Sequence, residues 1–297
     1  MNTFRQNSWK YTSSLTLSLI GSEAFKLGSS IFIYKFTGNL WLVSLLYLLI
    51  QVPSIIVYIF STKIVKKIKN DRLILLLSDI LSIVLLVPSL IIFFFTQNKT
   101  ILSIVLIVIS TLLGFVHSFR FVFLKNVVYY ITSNNEQMKT VNIATSFATS
   151  LGFLISTILS FFVFKHIDFY WLVVINMATY LISGVLYLAL KTSKEPTNFQ
   201  KDENNNKTIV KGTKLKSWIF ILSGSLMIGI FLYPRTAGLS HFFSSIKDFE
   251  VQTWGFYLSI IFTSFSLLGV ILSFLTKNLI KNKGGFLSFH CRCNRDN

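Results

Sequence analysis

Lys63-Ile-Val-Lys-Lys-Ile-Lys-Asn-Asp-Arg72 sets five cations among ten residues and stands between two long apolar runs. Residues 41–61 before it are almost wholly apolar, and residues 73–95 after it carry a single acid, Asp79. At about 1.5 Å of rise per helical residue, each run is long enough to cross a hydrocarbon layer of roughly 30 Å. The pair predicts a transmembrane hairpin. Short basic loops are retained in the cytoplasm, so this loop is expected to face inward and the far ends of both helices outward.

Composition generalises the reading. Of 297 residues 53% are hydrophobic and 13% charged, and a mean hydropathy of +0.64 is too high for a soluble domain of this length. The class is all-α, a polytopic membrane helical bundle. A net charge of +17 would suggest a nucleic-acid partner in a soluble protein, but these cations sit in short segments between apolar runs and read as topology signals. No nucleic acid is expected. The two cysteines, Cys291 and Cys293, lie beside His290 in the polar tail and supply neither a disulfide framework nor a four-ligand metal site. No metal and no cofactor is expected.

Along the chain, Arg5 and Lys10 place the N-terminus in the cytoplasm. Spans are expected at about 14–36, 41–61, 73–95, 101–121, 140–164 and 169–190, forming a six-helix bundle over residues 1–190. Thr37-Gly38-Asn39, Thr96-Gln97-Asn98-Lys99-Thr100 and Lys165-His166-Ile167-Asp168 are the external turns. Residues 191–216 carry seven lysines and Asp202-Glu203-Asn204-Asn205-Asn206, and read as a polar cytoplasmic linker. Two further spans over 217–276 bring the expected total to about eight, and residues 277–297 form a cytoplasmic tail.

The second set resembles the first. Ser8-Trp9 recurs as Ser217-Trp218, Trp41 as Trp254, and the Thr62-Lys63-x-Val65-x-Lys67-x-Lys69 pattern as Thr276-Lys277-x-Leu279-x-Lys281-x-Lys283. Three matches in the same order predict a parallel duplication. The second copy stops after two helices, and Gly285-Phe286-Leu287-Ser288-Phe289 then passes into a polar run. That pattern reads as a frameshift or early stop in an ancestral twelve-helix gene.

The stretch Ser18-Leu19-Ile20-Gly21-Ser22, Thr37-Gly38, Pro53, the basic loop leading into Leu77-Ser78-Asp79, and Glu136 to Ala144 together resemble the major facilitator superfamily. Within it the chain is similar to the macrolide-efflux-like branch of bacterial drug exporters, here truncated at its C-terminal side. The resemblance implies a secondary active transporter in a bacterial plasma membrane, exporting a small lipophilic compound at the expense of protons, with both termini cytoplasmic. Its partners are then the lipid bilayer, a small-molecule substrate and protons. Two positions depart from the family pattern: the loop aspartate falls on Val65 or Lys67, and Ser150-Leu151-Gly152-Phe153 lacks the proline of the exporter motif.

Glu23 and Lys26 lie close to the expected midplane, three residues apart on one helix face where they can pair with each other. Charges at that depth usually line a cavity or a proton path, so this pair is the candidate for coupling or substrate binding. Asp79 is expected to pair with the basic loop or to hold one conformation. With Asp71, Arg72, His117 and Arg120 it forms the gating set, although Arg120 reads first as an interfacial cation at the inner end of the fourth span. Ala144, Ala148, Gly152 and Ser156 recur every four residues and offer a narrow small-residue stripe for close helix packing. No phosphate-binding glycine loop or catalytic constellation is present, so an enzyme is not expected. The competing reading is a non-transporting remnant, or a membrane-embedded partner or immunity protein that binds through the helix-5 stripe.

Overall fold

The structure, a computed structural model, describes residues 3–67, 70–96 and 98–191 and part of 257–272. Its elements are α1 (Thr3–Thr37), α2 (Leu40–Lys67), α3 (Asp71–Phe95), α4 (Lys99–Ile131), α5 (Asn135–His166) and α6 (Tyr170–Leu188), with no strand among the described residues. The all-helical membrane class expected from composition is what the chain adopts. The individually described residues between 257 and 272 are helical and fall within the expected eighth span. The seventh span, the linker beyond residue 191, the sequence duplication and the Cys291/Cys293 tail lie outside the described residues.

Several helices run past the apolar stretch that predicts them. The quoted basic stretch is largely helix: residues 63–67 complete α2, and Asp71 and Arg72 open α3. α1 begins at Thr3, inside the expected polar N-terminal segment, and α4 continues past the expected end at residue 121 to Ile131. Local hydrogen bonding sets several of these ends. Asn70, Asn98 and Asn134 cap α3, α4 and α5 by accepting bonds from backbone N–H groups of Leu73 (3.3 Å), Thr100 (3.0 Å) and Gln137 (2.8 Å). At the turn from α1 to α2, Gly38 takes φ +60°, a conformation that favours glycine. Its N–H bonds Tyr34 O at 2.9 Å, and Asn39 Oδ1 then accepts from Trp41 N at 2.9 Å to start α2.

α1, α6, α3 and α4 form a ring in chain-contact order, with α2 packed on α4 and α5 on α1. Apolar burial does not separate helix from lipid, so association depends on close fit and interhelical polar contacts. Two glycines show the fit. A Cβ on Gly21 would stand 1.9 Å from Thr179 Oγ1 of α6, and one on Gly114 would stand 2.7 Å from the Ile50 carbonyl oxygen of α2. Any side chain there would force the helices apart. The outer surface of α3 carries exposed Leu73, Leu77, Leu81, Val84 and Ile91, the composition of a lipid-facing wall.

α2 to α6 are each long and apolar enough to cross a membrane. α1 is the longest at 35 residues yet falls outside that set, because its sequence carries many serines, Gly21, Gly28 and the Glu23–Lys26 pair in place of apolar side chains; it also contacts α2, α4, α5 and α6. Two apolar clusters stabilise the ring. One holds Phe32, Ile33, Leu86, Leu106, Phe169 and Leu172, and the other holds Tyr11, Leu15, Leu75, Phe123, Val127 and Tyr187.

Candidate functional site

The four ring helices share a buried polar centre. On α3, residues 75, 79, 82, 86 and 89 fall on one face and are all buried, which carries Asp79 into the bundle. α4 meets it there with Arg120, whose Nε lies 3.0 Å from Asp79 Oδ1; the two side chains are 0% and 2% exposed. α6 contributes Ser183, whose hydroxyl donates to Asp79 Oδ2 at 2.7 Å. α1 contributes Ser18, whose hydroxyl accepts from the Arg120 guanidinium. The guanidinium also faces the rings of Tyr187 and Tyr180, 5.3 and 5.9 Å from their centroids.

Two expectations are corrected here. Arg120 is not an interfacial cation, because α4 continues for three more turns beyond it and carries it into the interior. Among the described residues Asp79 meets not the basic stretch but Arg120 and Ser183, which take its two oxygens. His117 stands one turn from Arg120 and takes no part in the pair.

A cavity of about 580 Å³ opens beside this centre, within the size range of small-molecule sites. Among the described residues its wall comes from α1, α2, α4 and α5, while α6 contributes only Asn176 and Tyr180. Glu23 and Lys26 line it with His117, Gln51 and Ser110. Lys26 Nζ donates to Glu23 Oε1 at 2.7 Å, and both side chains keep about a fifth of their surface exposed. The spacing of three that allows the pair thus produces it, on the cavity face of α1.

The cavity is one-sided. Its lining includes Tyr11 near the start of α1, Tyr129 near the end of α4 and Met138 near the start of α5. Toward the other end it stops at Lys26 in α1, Ser110 in α4 and Phe153 in α5. Beyond that level aromatic rings fill the bundle. Phe169 packs on Phe32 and Phe25 with centroids 4.9 and 6.3 Å away, and Lys99 Nζ lies 5.8 and 5.2 Å from the ring centroids of Phe36 and Phe93.

At the opposite end, polar side chains grip the exit of α6. Lys10 donates to Ala189 O at 2.9 Å, Arg72 to Leu190 O at 2.6 Å and Asn7 to Lys191 O at 2.5 Å. Asn126 donates to Asp71 Oδ2 at 2.6 Å, tying α4 to the start of α3. Asp71 and Arg72 therefore sit at the bundle end, apart from Asp79 and Arg120.

The helix-5 stripe faces inward. Ala148, Gly152 and Ser156 are buried, a Cβ on Gly152 would stand 2.9 Å from Leu19 Cβ of α1, and Ser160, next in the same series, donates to Ala24 O of α1 at 3.1 Å. Ala144 is half-buried.

Sequence reasoning assigns no site role to Asn176, Tyr180, Ser183 or Tyr187, and Ser18 enters it only as part of a family-like stretch. A signal existed: residues 176, 180, 183 and 187 follow the 4-3-4 spacing of one helix face, and all four are buried. Among the described residues no group of three metal-ligating side chains is found. Compared with known protein families, residues 14–291 match the family described as Major Facilitator Superfamily. A comparison with curated proteins found no match.

Proposed function

The chain belongs to the major facilitator superfamily, and from that premise we propose that it exports a small lipophilic compound across a bacterial plasma membrane in exchange for protons. The membrane location and the transporter class follow from the family; the direction, the proton and the substrate are our reading. The observation that carries it is the Glu23–Lys26 pair on the wall of a one-sided cavity. In this reading both termini are cytoplasmic, so the open end faces the cytoplasm and the aromatic end faces out. The six-helix half rocks against the rest of the chain about that cavity.

The pair suggests how a proton exchanges for a substrate. While Glu23 is ionised it neutralises Lys26, and the cavity presents a balanced wall against which a lipophilic molecule can lie. While an apolar ligand fills the cavity, protonation of Glu23 leaves Lys26 as an uncompensated cation beside it, which is costly unless water replaces the ligand. Hydration then favours release of an apolar ligand. Asp79 and Arg120 act in this scheme as a brace that keeps the half rigid, and the bonds of Asp71 and Arg72 hold its open end.

The test is accumulation of a lipophilic fluorescent dye in inverted membrane vesicles carrying the full chain, with and without an imposed pH gradient. Accumulation should follow the gradient in the native protein and become independent of it in Glu23→Gln at equal expression. Unchanged gradient dependence in Glu23→Gln removes Glu23 from the mechanism. A partner-binding role through the helix-5 stripe is disfavoured, because α1 already packs on that stripe at Gly152 and near Ser156.

A further inference from the structure

The two helices that flank the basic stretch do not pack together. Among the described residues α4 packs against α2 and against α3, while α2 and α3 scarcely meet, although only residues 68–70 join them. The hairpin is splayed, and a cleft of about 340 Å³ lies between its arms. Val57 of α2 and Ile74, Leu77 and Leu81 of α3 form its walls, and Phe115 and Val116 of α4 its floor. Val57 and Val116 are buried, whereas Leu77, Leu81 and Phe115 are exposed, so the cleft opens sideways onto the lipid-facing surface. It shares no lining residue with the central cavity. Among its lining residues only Ser78 carries a hydroxyl, and Ser78 is buried. Such a trough offers water nothing to bond, and a chain of methylene groups supplies the dispersion contacts that its walls lack.

The cleft lies near one membrane surface. Val57 stands ten residues before the end of α2, and Ile74 to Leu81 stand three to ten residues after the start of α3, which at about 1.5 Å per residue puts both walls within about 15 Å of the turn. That is about the depth of one leaflet. The chain that joins the arms carries Lys63, Lys66, Lys67, Lys69 and Arg72. Arg72 donates to Leu190 O, and the one acid there, Asp71, accepts from Asn126, so the four lysines are the main source of charge at this end.

We infer that this cleft seats one acyl chain of an anionic phospholipid whose phosphate lies at the basic turn. Clustered cations beside a membrane helix attract acidic headgroups, and the cleft adds a fixed place for the tail that a flat helix surface lacks. Both parts are needed. The cleft alone would take a tail under any headgroup, and the lysines alone would attract any anion.

The test is native mass spectrometry of the full chain, stripped of lipid in detergent and titrated with phosphatidylglycerol or phosphatidylcholine of the same acyl chains. A single phosphatidylglycerol per chain should be retained at about tenfold lower concentration than phosphatidylcholine. Replacing Lys63, Lys66, Lys67 and Lys69 together by glutamine should bring phosphatidylglycerol close to the phosphatidylcholine value. Leu81→Trp fills the cleft from its exposed wall and leaves the lysines in place; it should weaken phosphatidylglycerol about tenfold, with Leu77→Trp as the second filling variant should the first fail to fold. Glycerophosphoglycerol, the same headgroup without tails, should not be retained. Equal retention of the two lipids overturns the inference. So does phosphatidylglycerol binding unchanged by filling the cleft, or glycerophosphoglycerol retained as strongly as the lipid. A dimer mass that Leu81→Trp abolishes, with no lipid bound, would give the cleft to a second copy and overturn it as well.

Discussion

Among the described residues two carboxylate–cation pairs occupy the interior of this bundle, and they differ in everything but chemistry. Asp79–Arg120 joins two helices, is sealed, and draws further bonds from α1 and α6. Glu23–Lys26 lies within one helix, keeps about a fifth of its surface open and faces a cavity. A sealed pair cannot change its charge without disrupting its neighbours, because a buried lone ion has no water to turn to. An open pair can change at small structural cost. The contrast supports the proposal made above, in which the first pair braces the bundle and the second handles the proton.

The largest effect that would break the contrast is Arg120→Met, which leaves Asp79 buried without its cation. Loss of one partner of a buried pair costs about 3–5 kcal/mol, so the yield of folded protein and its melting temperature in detergent should fall sharply. Arg120→Met combined with Asp79→Leu should recover most of that loss, since an apolar pair can replace a buried ionic one. A double variant no better than the single would show that Arg120 acts through Ser18 and the tyrosines instead. Next in size is Ser183→Ala, which removes the bond to Asp79 Oδ2 and should cost about 1–3 kcal/mol, read as a smaller drop in the same melt. The smallest expected effect on stability is Glu23→Gln. A partly exposed pair contributes roughly 0–1 kcal/mol, so the melt should barely move while gradient dependence of dye accumulation disappears. A melt lowered as far as that of Arg120→Met would erase the distinction between the pairs.

The membrane class and the first six helices were legible because apolar length is a local property. The helix ends were not. Hydropathy stops at the first charge, whereas helices start and stop where Asn70, Asn98, Asn134, Thr132 or Gly38 permits a cap or a turn; hydropathy alone therefore ends α4 too early and puts Arg120 at an interface it does not reach. The same division governs the site. Glu23 and Lys26 were legible as a pair because three residues on a helix fix their proximity. Asp79 and Arg120 were singled out but not joined, because their meeting depends on how α3 and α4 pack. Asn176, Tyr180, Ser183 and Tyr187 carried a readable helical period on α6, obscured by the uniformly apolar residues around them.

The one-sided shape of the cavity has an electrical consequence. A well filled with electrolyte carries the potential of its own side down to its floor, so the transmembrane voltage is not spread evenly along these helices. It falls mainly across the ring-packed segment around Phe32, Phe36, Phe93 and Phe169, which serves as the insulator of this half. A charge travelling between the mouth and Glu23 crosses little of the field; one passing the aromatic segment crosses most of it, at about 2.3 kcal/mol per elementary charge for each 100 mV. The thickness of that segment therefore sets where in a transport cycle voltage does its work.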